Sequence, residues 1–117
     1  MVKNESHFHM AMDVADTKTA WPDVTDKILS YDPDTKNETK LQIYAPGWKQ
    51  GHGTYTHAFW EEIFVVSGKI YDHTIERWVG AGEYACRPPG QKHGPFECAP
   101  DEGAVVLLIN TPSWARA

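Results

Sequence analysis

An all-β fold, an antiparallel sandwich or barrel, is predicted by two features of this chain. Short runs with period-two or β-branched character recur along it, and Gly- and Pro-rich breaks separate them. A third feature is negative: no segment carries the apolar periodicity of an amphipathic helix. With 117 residues and 41% apolar content, residues 1–117 read as one domain around one core.

The elements follow in order. Within residues 1–20, His7, Phe8, His9, Met10 and Met12 alternate loosely, and His7 to Met12 is expected to be an edge strand or arm. Thr19-Ala20-Trp21-Pro22 ends it, because proline disfavours helix at the preceding residue. Asp26 to Tyr31 reads as a strand and Asp32-Pro33-Asp34-Thr35 as a turn. Thr39 to Tyr44 sets Leu41 and Ile43 against Lys40, Gln42 and Tyr44, the pattern of a half-buried strand. Ala45-Pro46-Gly47 stops it. Further strands are expected at Thr54 to His57, Glu62 to Val66, Ile70 to Ile75, Arg77 to Val79, Glu83 to Arg87 and Ala104 to Asn110.

Composition narrows the function. The formal net charge is −5, and the basic residues are scattered, so no concentrated face is offered to nucleic acid. Ala104 to Ile109, the longest apolar run, is too short to span a bilayer. The polar start Met1-Val2-Lys3-Asn4 lacks the apolar segment of a secretory leader, which predicts a cytoplasmic chain. Cys86 and Cys98 are accordingly expected as reduced thiols, Cys86 as a small buried residue.

The candidate site comes from spacing. His57 and Glu61 lie four apart, and His93 follows the rigid turn Pro88-Pro89-Gly90. Two imidazoles and a carboxylate form a facial N and O ligand set for one divalent metal, leaving positions open for a substrate. On a strand, Tyr55, His57 and Glu61 share one face, with Glu62 on the other. His52 has the opposite parity and joins only through a bulge at Gly51 or Gly53. His52 and Tyr55 are therefore the alternative fourth ligands. Phe59 and Trp60 would shield the glutamate from water.

These stretches resemble the paired motifs of the cupin superfamily. His57, Glu61 and Gly68 match the second histidine, glutamate and glycine of the first motif, His-x-His-x₃₋₄-Glu-x₆-Gly. Gly82, Pro88, Gly90 and His93 match the second motif without a gap. The chain departs from the pattern at Tyr55, which replaces the first histidine, at Gly47, which lies too far upstream, and at Glu97. Trp60-Glu61-Glu62-Ile63 and Ala85-Cys86-Arg87-Pro88-Pro89-Gly90 resemble the branch holding anti-sigma-factor cupin domains, with diketone and aryl-ketone dioxygenases as neighbours. The resemblance implies a double-stranded β-helix (jelly-roll) barrel with one metal, Fe(II) being favoured over Zn, Mn, Ni or Co. It also implies a homodimer and a small-molecule substrate or effector. The expected activity is dioxygenation of a small carbonyl or enol compound, with Tyr55 as the catalytic residue that orients the substrate oxygen. The alternatives are a metal-binding sensor module and a non-redox isomerase or cyclase.

Overall fold

The computed structural model describes residues 3–51 and 56–114. Its strands are β1 (Thr17–Lys18), β2 (Val24–Tyr31), β3 (Glu38–Tyr44), β4 (Trp60–Asp72), β5 (Arg77–Gly80), β6 (Tyr84–Arg87), β7 (Phe96–Glu97) and β8 (Ala104–Thr111). Every strand pairing among the described residues is antiparallel. The order is β1-β2-β3-β8-β4-β5, with β6 and β7 also on β4. This is the antiparallel β architecture that the strand pattern predicts, in the jelly-roll form that the resemblance implies. No helix among the described residues is long and apolar enough to cross a membrane.

Two expected strands prove to be one. Residues 60–72 run without a break, because Gly68 lets the chain bend where another residue would end the strand. Gly68 has φ +73, and a Cβ there would lie 2.0 Å from the Gly103 carbonyl oxygen. A register shift against β8 between Val65 and Ser67 marks the bend. The first half of β4 pairs with β8 and β6, the second with β5 and β7, so one strand serves both layers. Ile75 falls in the turn after it rather than in a strand.

The edge strand lies later in residues 1–20 than His7 to Met12. Residues 7–10 form no strand, and Ala11–Asp13 is a single 3₁₀ turn. Thr17 and Lys18 take the edge instead, opposite Asp26 and Thr25. Residues 3–10 stay exposed; alternation without a face to bury it on specifies no register. The arm is tied down by Lys27 Nζ, which donates to the Val14 carbonyl at 2.7 Å and to Asp16 Oδ1 at 2.6 Å.

The turn at Asp32 forms as predicted, its Oδ1 accepting from the N–H groups of Asp34 (2.8 Å) and Thr35 (3.2 Å). Val24, Trp48, Val65, Ile70, Val106 and Leu108 carry the core. Trp48 packs edge-on against Trp21 at 6.0 Å and tilted against Tyr44 at 4.7 Å. Cys98 is buried, and burial pushes its thiol up to about 11. Cys86 is exposed, not buried as expected, because β6 turns its neighbours Ala85 and Arg87 toward the interior. Both thiols are free.

Candidate metal centre

Glu61 is the second residue of β4, with Arg87 of β6 and Asn110 of β8 as its Cα partners. Alternation turns Glu61, Ile63 and Val65 toward the cavity. Glu62 lies on the other face, where its Oε1 accepts the Tyr84 hydroxyl at 2.6 Å. His57 is not on a strand, as the sequence pattern had it, but in the loop before β4. A bend at Ala58 and Phe59 brings its Nε2 to 3.4 Å from Glu61 Oε2, so the two meet through a turn rather than along a pleat. Phe59 stacks on the His57 ring at 4.7 Å and 15°.

The Pro88-Pro89-Gly90 turn delivers the third group. Gly90 adopts φ +82, and its N–H donates to the His57 carbonyl at 2.8 Å, which ties the two motifs together. His93 then lies with its ring 5.0 Å from His57 and 5.7 Å from Phe96. One ligand atom from each of His57, Glu61 and His93 falls within 4.8 Å of the others. His52 and Tyr55 lie outside the described residues.

The donor atoms of this cluster suit a metal ion. His93 is 6% exposed, and neither ring nitrogen has a hydrogen-bond partner among the described residues. Burial holds its pKa down at about 4, with Arg87 and His57 acting in the same direction and Asp72 opposing. Burial also raises the Glu61 carboxyl, against the lowering effect of His57, Arg87 and Lys40. A neutral imidazole with open nitrogens beside a buried carboxylate is the donor set that a divalent ion requires, so the residues present fit a metal.

The cluster opens on a cavity of about 570 Å³. Several of its polar residues were not legible as such. Lys40, Gln42 and Tyr44 line it, whereas the strand pattern had placed the interior on the side of Leu41. Leu41 is buried as well, on the opposite face of β3. Arg87 Nη2 donates to Asp72 Oδ2 at 3.2 Å, and both side chains are largely buried. The signal available was a strand whose polar set included Lys40 and Tyr44 in phase. It points inward only once the strand is known to wall a cavity.

Solved structures share this architecture. An RmlC-like cupin from Shewanella frigidimarina superposes with TM-score 0.69 at 15% identity, over 95% of each chain. The chain has the cupin fold. The polyketide cyclase RemF from Streptomyces resistomycificus gives TM-score 0.73 at 21% identity, over 92% of this chain and 80% of that one. KdgF from a Halomonas species gives 0.69 at 16%, over 92% and 94%. No family model matches the sequence, and no curated protein matches it significantly.

Proposed function

We propose that this cupin holds one divalent metal on His57, Glu61 and His93 and acts on a small carbonyl or enol compound, as a dioxygenase when the metal is Fe(II). The observation that carries the reading is His93, buried with both ring nitrogens unpartnered beside His57 and Glu61. Such a group costs folding free energy unless something fills its coordination. A bound Fe(II) supplies activation of O₂ and polarisation of a carbonyl oxygen.

The remaining work belongs to the chain. Phe59, stacked on His57, restricts the orientation of that ring. Ile63, Val79, Val106 and Leu108 offer the ligand's carbon skeleton an apolar wall. Tyr55 is proposed to orient the substrate oxygen. Tyr55→Phe should keep the metal and weaken ligand binding by about 1–2 kcal/mol, the worth of one hydrogen bond; unchanged binding removes it from the role.

Metal analysis of anaerobically purified protein, followed by oxygen uptake with acetylacetone, tests the whole reading. Stoichiometric iron with uptake supports it. Stoichiometric zinc without uptake moves the assignment to the second reading, a non-redox isomerisation or cyclisation, which the fold's likeness to a polyketide cyclase favours. Absence of any metal defeats both. We further propose a cytoplasmic homodimer. Exposed Phe64, Val66 and Tyr84 on the outer sheet face support self-association, and a monomer at all concentrations in sedimentation would exclude it.

A further inference from the structure

Beside Glu61 the cavity holds a cation whose partners are incomplete. Arg87 is paired in register with Glu61 and lines the cavity. One arm of its guanidinium is committed: Nη2 donates to Asp72 Oδ2 at 3.2 Å, and the group lies 5.1 Å from the Phe96 ring centroid. The other arm is not. Nη1 is buried and has no acceptor among the described residues. A guanidinium is a planar fork, and a buried one is ordinarily met on both arms. On the far flank of Glu61, Asn110 Oδ1 is likewise buried without a donor, while its Nδ2 reaches Glu38 Oε1 at 3.4 Å. Open hydrogen-bonding capacity therefore flanks Glu61 on both sides, whereas Asp26, Lys40 and Gln42 all have partners.

We infer that Arg87 determines specificity: its Nη1 receives a carboxylate oxygen of the ligand, so the cavity selects a small carbonyl compound carrying a carboxylate over its neutral ester. The inference rests on the metal reading above, because Asp72 and Glu61 both repel an anion and the metal together with Arg87 outweighs them. A carboxylate is the acceptor that suits a free guanidinium arm. Charge-assisted bonds of this kind are roughly twice as strong as neutral ones. Asp72 and Phe96 already hold the fork, so little side-chain freedom remains to be lost on binding.

The test uses zinc-loaded full-length protein, since zinc is redox-inert, titrated calorimetrically with acetoacetate and with methyl acetoacetate. These share one carbon skeleton and differ in the anionic group. The wild type should bind acetoacetate about ten- to hundredfold more tightly. The double variant Arg87→Gln/Asp72→Asn removes both charges, so it strands no buried carboxylate, and should bind the two probes equally with zinc content and melting temperature retained. Equal binding by the wild type, no binding of either probe, or an undiminished preference in the double variant would each overturn the inference. Loss of zinc from the double variant would also overturn it, by making Arg87 a support of the metal centre. Zinc analysis of the wild type separates the two readings. If it holds no zinc, the metal reading fails and the inference that rests on it fails with it, whereas equal binding by zinc-bound wild type overturns the role of Arg87 alone.

Discussion

Glu38, Lys40 and Gln42 on β3 line the same cavity as Glu61, Arg87 and His93, yet the first group, joined to Asp26 of β2, has its charges met and the second does not. Asp26 accepts from Lys40 Nζ at 2.9 Å and from Gln42 Nε2 at 2.8 Å. Lys40 also meets Glu38 Oε1 at 3.1 Å, and the Tyr44 hydroxyl donates to Gln42. Burial alone would lower the Lys40 ammonium, but the hydrogen bonds and charges of Asp26 and Glu38 raise it above its ordinary range. In the second group, His93 has neither nitrogen paired, Arg87 has one arm free, and Asn110, whose Nδ2 reaches Glu38 on the neighbouring strand, has an open carbonyl oxygen. Residue type does not separate the two walls. Satisfaction does: a closed polar network specifies packing, whereas open buried groups await a ligand.

The largest expected effect comes from the open wall. His57→Ala or His93→Ala should abolish metal binding outright while the barrel stays folded, because its core of Val24, Trp48, Val65 and Val106 does not depend on the ion. Metal stoichiometry and far-UV circular dichroism on the same samples check both halves. Full occupancy in either variant would close the difference between the walls.

The closed wall should fail in the opposite way. Lys40→Met leaves Asp26 and Glu38 facing each other without a cation, and loss of one partner from a buried pair costs about 3 kcal/mol. Denaturant unfolding should show that loss, with metal content unchanged. A variant that lost metal but kept its stability would mean that Lys40 belongs to the centre after all.

Why one wall was legible in sequence and the other was not follows from this contrast. His57, Glu61 and His93 announce themselves through ligand chemistry and the fixed geometry of Pro88-Pro89-Gly90, which survives whatever loop surrounds it. Even so, the strand expected over Thr54 to His57 does not include His57, and Thr54 and Tyr55 lie outside the described residues. Spacing along a chain does not reveal the bend at Ala58 and Phe59 that brings His57 to Glu61. The closed wall was hidden because Lys40 and Gln42 in an alternating strand look solvent-facing, and only the enclosing sheet shows that their side of β3 is interior. The continuity of β4 was equally hidden. Gly68 reads as a strand breaker until the close approach of Gly103 gives its bend a reason. Thr17–Lys18 and Phe96–Glu97 are too short to carry any pattern.

A smaller effect follows from pH. In metal-free protein His93 has its pKa depressed from 6.5 to about 4, so between those values the unfolded chain binds a proton that the folded chain refuses. Stability should therefore fall as pH drops from 6.5 toward 4, with no contribution from this group above that window. His93→Leu should flatten that slope in thermal unfolding measured across the window. With metal bound, the same acidification should release the ion, since ligating imidazoles must be neutral. A metal content constant down to pH 4 would argue against both imidazoles at once.

The smallest effect is expected one residue from the centre. Glu62 follows Glu61 on β4 but lies on the outer face, where its hydrogen bond holds the exposed Tyr84 phenol above its ordinary range. Glu62→Gln keeps an acceptor for that hydroxyl and touches nothing in the cavity. Metal content should be unchanged, and the loss in unfolding free energy should be well below that of Lys40→Met. Glu61→Gln, by contrast, removes a ligand charge and should lower metal affinity sharply. The pair is a direct reading of register, because a slip of one residue along β4 would exchange its two faces entirely. If Glu62→Gln lost the metal and Glu61→Gln kept it, Arg87 and Asn110, the partners of Glu61 on either side, would be on the wrong face too. The distinction between a closed and an open wall would then have no structural basis.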